Sequence, residues 1–224
     1  MATRLNHSSL VLVRHGQSTY NLENRFTGWK DVDLTDQGYD EAVQAGNILE
    51  HYQFDSAYTS NLKRANKTLS IILKNNKSKL NVIKNEALNE RDYGDLIGQN
   101  KKEAAIKFGK DQVQIWRRSF DVPPPNGESL KMTYDRTIPY FKDIIESDIS
   151  NNKNIILSAH GNSIRAIIMY LFNYTKDEIL STEIGWCEPW VITFQNNVIV
   201  NFKVLTRNGV DSMSNYPRLP VLSK

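Results

Sequence analysis

A chain of 224 residues, 40% of them hydrophobic, can bury one sizeable core but is short for two ordinary domains, so residues 1–224 are read as a single domain. Its 28 Lys and Arg against 25 Asp and Glu leave a net charge of +3, which excludes the strongly basic surface of a nucleic-acid binder. No run approaches the roughly 20 apolar residues of a membrane span, Met1 to Ser9 lacks the apolar stretch of a secretory leader, and the lone Cys187 cannot form an intrachain disulfide. The expectation is a cytoplasmic protein with neither nucleic acid nor membrane as partner.

Leu10-Val11-Leu12-Val13 is a short continuous apolar run, the pattern of a strand buried on both faces, and Arg14-His15-Gly16 follows at its carboxyl end. Thr35 can cap a helix whose apolar face is Ala42, Val43, Gly46 and Leu49, and Phe54 to Tyr58 reads as a second strand. Ser60 is the expected cap of the next helix, which runs to about Leu73. A weak strand from Leu80 to Ile83 leads through a loop, Asn85 to Gly98, into a helix that Gly109 ends. Asp111 is expected to cap a further helix with Val113, Trp116 and Phe120 on one face. Val122 to Gly127, with three consecutive prolines, is a surface loop. Glu128 to about Ser147 is a long helix that Pro139 should kink, because proline removes a backbone donor and clashes one turn back. Ile155-Ile156-Leu157 is another buried strand, with His160-Gly161-Asn162 at its end and the helix Ser163 to Phe172 beyond. Trp190 to Phe194 and Val198 to Val204, joined by Gln195-Asn196-Asn197, form a hairpin. Strands alternating with helices predict an α/β three-layer sandwich, a mainly parallel sheet flanked by helices, with ligands at the strands' carboxyl ends.

His15 and His160, two of four histidines, occupy equivalent places: strand, His-Gly, then polar residues opening the next segment. Either alone reads equally well as a packed structural histidine; the pair points to function. Neutral imidazole is a good nucleophile near pH 7 and, once phosphorylated, releases the group readily. Arg14 adjoins His15. Arg64 falls in the first turn of a helix, where a cation opposes the helix dipole, so either an anion is wanted there or the side chain merely points into water. Arg117-Arg118 is a second doublet, which on its own also reads as helix surface charge. Guanidinium groups converging on one pocket would neutralise a polyanionic substrate without a metal. Metal-binding and nucleotide-binding motifs are absent from the sequence, so no metal cofactor is expected. Moving phosphate onto a hydroxyl also needs a group to take the proton; Glu90 in the loop Leu88 to Gly94 is the candidate, although a glutamate in a loop is normally just solvated.

Leu-Val-Arg-His-Gly-Gln-Ser at 12–18 resembles the signature of the histidine phosphatase superfamily. Asn21, then Asn24-Arg25-Phe26-Thr27-Gly28-Trp29 and Asp33-Leu34-Thr35, resembles the cofactor-dependent phosphoglycerate mutases within it. Further matches are Tyr58-Thr59-Ser60, Lys63-Arg64-Ala65, Leu88 to Gly94, Asn100-Lys101, Gln114 to Arg118 and Ala159 to Ser163. The resemblance implies a phosphoglycerate mutase-like fold, with His15 as phosphorylated nucleophile, Glu90 as proton donor and acceptor, and His160 as stabiliser of the transferring group. Arg14, Ser18, Asn21, Thr27, Gly28, Arg64, Arg91, Tyr93, Lys101, Arg117, Arg118, Gly161 and Asn162 would line the pocket. It implies interconversion of 3-phosphoglycerate and 2-phosphoglycerate, 2,3-bisphosphoglycerate as priming cofactor, a small anionic phosphorylated substrate as ligand, and a homo-oligomer, dimer or tetramer. The sequence departs from the family's pattern in the short stretch from Pro125 to Gly127, at Ile184 to Pro189 where a Thr-Gly-Val/Ile-Pro stretch is usual, and in the tail from Arg207 to Lys224. Three alternatives stay open: a phosphomonoesterase of the same superfamily, a bisphosphoglycerate synthase or phosphatase, and a non-catalytic binding protein of the same fold.

Overall fold

The computed structural model describes residues 7–206 and 209–211. The leader-like question at Met1 to Asn6 and most of the divergent tail lie outside the described residues. The apolar runs become the centre of one sheet in the order β3-β2-β4-β1-β5-β6-β7. Its strands are β1 (His7–Arg14), β2 (Ser56–Thr59), β3 (Val82–Lys84), β4 (Asn154–Ala159), β5 (Trp190–Gln195), β6 (Val198–Thr206) and β7 (Gly209–Asp211). From β3 to β1 the pairings are parallel, while β5, β6 and β7 continue antiparallel from β1, so the half carrying the His-Gly pairs is the parallel half.

Side chains alternate across a strand, so β1 feeds two cores at once. Leu10 and Leu12 point to a cluster with Ile155, Leu157, Ile164 and Ile168. Val11 and Val13 point to the other, with Ala42, Ala45, Leu69 and Ile72. Each fully buried Leu, Ile or Val contributes roughly 1.5–3 kcal/mol, which explains the unbroken apolar run. The first face is covered by α6 (Leu130–Tyr140) and α8 (Gly161–Phe172), the second by α2 (Asp36–Ile48) and α3 (Lys63–Asn75). The remaining helices are α1 (Thr19–Leu22), α4 (Lys101–Phe108), α5 (Lys110–Arg118), α7 (Glu146–Ser150) and α9 (Lys176–Ser181). A separate small cluster of Phe26, Leu96, Ala104 and Val113 fastens α4 and α5 to the loops beside the sheet's carboxyl edge. Among the described residues, no helix is long and apolar enough to cross a membrane.

Thr35 caps α2 as expected, its hydroxyl accepting from Gly38 N, but Val43 is exposed and Ala45 takes its place on the packed face. The strands predicted at 54–58 and 80–83 run one to two residues later. Ser60 does not cap α3: that helix starts after Leu62, and Ser60 is drawn instead to a histidine of the site. Asp111 lies in the first turn of α5 and Gly109, at φ 89°, is the junction between α4 and α5, so one glycine both ends and begins a helix. Phe120 falls beyond α5 and joins the main core rather than the helix's own face. The long helix predicted from Glu128 is capped by Ser129 and carries Pro139; a widened π-type turn, Phe141–Ile145, follows, and α7 completes it. Phe141, Ile145 and Ile149 all reach the core from this stretch. The β5–β6 hairpin turns on Asn196 and Asn197 at φ 50° and 65°, the left-handed pair that a two-residue turn of this hand requires.

Candidate active site

Register brings the two histidines together. In the β1–β4 ladder Arg14 stands opposite Ala159, so the next residue of each strand leaves the sheet at the same level. The His15 amide donates to Ala159 O at 3.0 Å, and the two imidazoles lie 5.0 Å apart between ring centres, tilted by 60°. His15 is 2% exposed and His160 0%. His15 Nδ1 lies 2.7 Å from Gly16 O, an acceptor only, so Nδ1 carries the proton and Nε2 keeps its lone pair. Arg64 Nε donates to that lone pair at 3.3 Å. Burial, then Arg64, then Arg14 hold His15 well below the usual imidazole range, against the opposing Gly16 bond, and burial with Arg64 does the same for His160. Both rings are therefore neutral at pH 7. Ser60 Oγ lies 2.8 Å from His160 Nε2 and accepts from Leu62 N, which fixes the second ring from behind.

The loop at His15 is packed backbone on backbone. A Cβ on Gly16 would stand 2.3 Å from Gly38 O, so only glycine lets α2 approach this closely. Gly16 N donates to Thr68 Oγ1, whose hydroxyl donates to Arg64 O, tying the loop to α3.

The arginines are held by carbonyls. Arg64, 1% exposed, donates Nη1 to Lys30 O and Nη2 to Gly28 O at 3.0 and 2.9 Å, and burial pulls its pKa down to about 10, still charged at neutral pH. Arg14 donates Nη1 to Ile184 O at 2.8 Å and lies over the Trp186 ring at 5.5 Å, while its buried Nε has no partner. Glu90 is 8% exposed, and its Oε1 accepts from Arg91 N, Asn162 N and Asn162 Nδ2. Burial alone would raise its pKa, but these donors with Arg64 and Arg14 outweigh it and bring the carboxyl below its ordinary value, so Glu90 rests ionised. Its backbone is clamped too: Trp29 Nε1 and Arg136 Nη2 donate to Glu90 O, and Arg136 is paired with Glu128.

Among the described residues, the cavity beside His15, of ≈ 150 Å³, is lined by seven cations (Arg14, Arg25, Arg64, Lys101, Arg117, Arg118, Arg165) against two carboxylates, Glu90 and Glu183. Such a surplus suits a small polyanion. Asn21, Thr27, Tyr93, Gly161 and Asn162 also line it, so most of the sequence-predicted set converges. Four members stand back from the wall. His160 lies beneath His15; Ser18 is buried as the cap of α1; Gly28, at φ 51°, supplies its carbonyl to Arg64; Arg91 backs Tyr93, donating to its hydroxyl at 3.0 Å. Sequence reasoning missed Arg25, Phe26, Arg165 and Glu183 on the wall. Arg165 sits four residues after Gly161 on α8, a helical spacing that puts it over the same pocket, and this was the available signal. Arg25 and Phe26 sat inside a quoted motif, whereas Glu183 had no signal.

Residues 10–204 match the family described as histidine phosphatase superfamily (branch 1). A protein of Allorhizobium ampelinum named 2,3-bisphosphoglycerate-dependent phosphoglycerate mutase is 52% identical over 82% of this chain and 88% of its own length. One of Afipia carboxidovorans with the same name is 50% identical over 87% of this chain and 95% of its own. Among solved structures, the alpha-ribazole phosphatase of Shigella flexneri superposes with a TM-score of 0.78 at 20% identity, covering 91% of this chain and 98% of that one, a likeness of fold alone.

Proposed function

Because the chain belongs to the histidine phosphatase superfamily (branch 1), we propose that it interconverts 3-phosphoglycerate and 2-phosphoglycerate through a phosphohistidine on His15 primed by 2,3-bisphosphoglycerate. The fold is shared with a phosphatase and does not choose between hydrolysis and mutation. What favours the mutase is the match, over more than four fifths of the chain, to relatives that carry that name.

The observation that carries the chemistry is the state of His15 on the wall of a cation-lined cavity: neutral, its Nδ1 proton spent on Gly16 O, its Nε2 unprotonated and met by Arg64 Nε. The residues fit a bisphosphorylated donor, since the wall holds seven cations and the buried Arg14 Nε on it is a donor without an acceptor. Bound there, 2,3-bisphosphoglycerate supplies the phosphoryl group that loads His15. From loaded His15, the free hydroxyl of a monophosphoglycerate attacks phosphorus as the N–P bond breaks, and the bonding pair returns to Nε2. Glu90, ionised at rest, takes the hydroxyl proton. In the reverse sense Nε2 attacks the other phosphate, its P–O bond breaks, and protonated Glu90 returns the proton to the departing oxygen. Arg14 and Arg64 on the wall, with neutral His160 packed behind His15, would stabilise the charge on the transferring phosphoryl group, so positioning and electrostatics do most of the catalysis. Lys101, Arg117 and Arg118, on the same wall, would hold the ligand's outer anionic group.

Purified protein supplied with 3-phosphoglycerate in chelator, with and without trace 2,3-bisphosphoglycerate, tests the reading. Isomerisation stimulated by the bisphosphate is the expected result; release of inorganic phosphate alone would make the protein a phosphatase.

A further inference from the structure

Glu183 puts a carboxylate on the wall of an anion site. Its Oε1 lies 2.9 Å from Arg118 Nη2 and its Oε2 3.3 Å from Arg165 Nη2, and all three side chains line the cavity beside His15. Arg165 does not depend on it for placement, since Nε and Nη2 both donate to Thr182 O at 3.0 and 2.9 Å. Arg118 ends α5, and its pairing with Glu183 joins that helix to the segment after α9. The Arg118 and Glu183 side chains are 38% and 67% exposed, so the pair stands at the mouth, within reach of an entering ligand. Burial lowers the Arg14 pKa, and Glu183, after Glu90, opposes that shift, so its field extends inward. Glu90, the other carboxylate of the wall, is buried and committed to three N–H donors.

We propose that Glu183 is an internal counter-anion that sets the site's specificity by charge, holding down the affinity for a bisphosphorylated ligand relative to a monophosphorylated one. It takes up positive potential that a ligand's outer anionic group would otherwise use. The repulsion it exerts grows with each unit of ligand charge, so it falls harder on the bisphosphate than on the monophosphate. Seven cations opposed only by a buried carboxylate would retain the more highly charged ligand; Glu183 lets it leave. The inference rests on the substrate reading above.

Equilibrium binding is compared with Glu183 intact and in Glu183→Gln, which removes the charge and keeps the shape, both in a His15→Asn background where no phosphoryl transfer intervenes. At low ionic strength Glu183→Gln is expected to tighten 2,3-bisphosphoglycerate roughly tenfold and 3-phosphoglycerate about threefold, with the difference shrinking as salt is added. An unchanged ratio of the two affinities overturns the proposal. So does weaker binding of both ligands, which would make Glu183 a strut for Arg118. Inorganic pyrophosphate and phosphate, titrated on the same two proteins, separate this claim from the substrate reading. Charge selection relaxed by Glu183→Gln with these anions supports the counter-anion even where neither glycerate ligand binds, a result that would sink the substrate reading alone.

Discussion

Replacing Arg64 with methionine probes a side chain on which fold and chemistry both rest. Methionine fills much of the same volume but donates nothing, so the carbonyls of Gly28 and Lys30 lose the donors now at 2.9 and 3.0 Å. Lys30 O keeps its bond from Val32 N, but the buried Gly28 carbonyl is left unpaired, at a cost of about 1–3 kcal/mol. Removing a guanidinium whose burial already lowers its pKa to about 10 offsets part of this, leaving an expected stability loss of about 1–2 kcal/mol. Loss of one charged donor from the transferring phosphoryl group should slow His15 phosphorylation by roughly 10²–10³-fold. Arg64 also helps hold His15 neutral, so the ring's pKa should rise and the acid limb of the rate profile should move to higher pH. Arg64→Lys keeps the charge without the fork, and is expected to restore the pH profile more fully than the stability. Urea denaturation, quenched-flow phosphorylation and imidazole NMR read the three effects. An Arg64→Met protein within about 0.5 kcal/mol of wild type that loads phosphate at the normal rate would refute the reasoning.

Glu90→Gln keeps an oxygen for the Arg91 and Asn162 donors, so transfer should slow by about 10²–10⁴-fold with substrate affinity largely intact; normal turnover with lost affinity contradicts its proton role. The two buried neutral histidines have folded-state pKa values depressed from 6.5, so the unfolded chain binds more protons as the pH falls through 6.5. Their stabilising contribution is present above that value and lost below it, by up to ~1.4 kcal/mol per pH unit for each ring. Unfolding free energies measured between pH 7.5 and 5, compared with those of His15→Asn, check the slope; identical slopes would refute it. Gly16→Ala places a Cβ 2.3 Å from Gly38 O and should cost about 2–3 kcal/mol, and a neutral thermal shift would contradict the close packing of this loop.

Much of the parallel half of the sheet was legible because burial on both faces writes itself as continuous apolar runs at Leu10 to Val13 and Ile155 to Leu157. The placement of His15 and His160 followed, since a strand's carboxyl end is a sequence position as well as a spatial one. Capping was less legible: Ser60 and Asp111 have the right chemistry for a cap, but Ser60 is claimed by His160 and Gly109 already supplies the turn ahead of Asp111. Local propensity cannot see a partner 100 residues away. The same blindness concealed Glu183, whose place on the wall depends on how the segment after α9 folds back over Arg118 and Arg165. The division of labour among the predicted residues was also hidden, since nothing in the sequence separates Arg64, beside the nucleophile, from Arg91, which backs Tyr93.

The covalent step itself is the most direct target. Brief incubation with 2,3-bisphosphoglycerate, followed by alkaline digestion and mass spectrometry, should find one acid-labile phosphoryl group, on the peptide carrying His15 and absent from His15→Asn. An unmodified His15 peptide while the sugar acid turns over, or label on another side chain, would contradict the account.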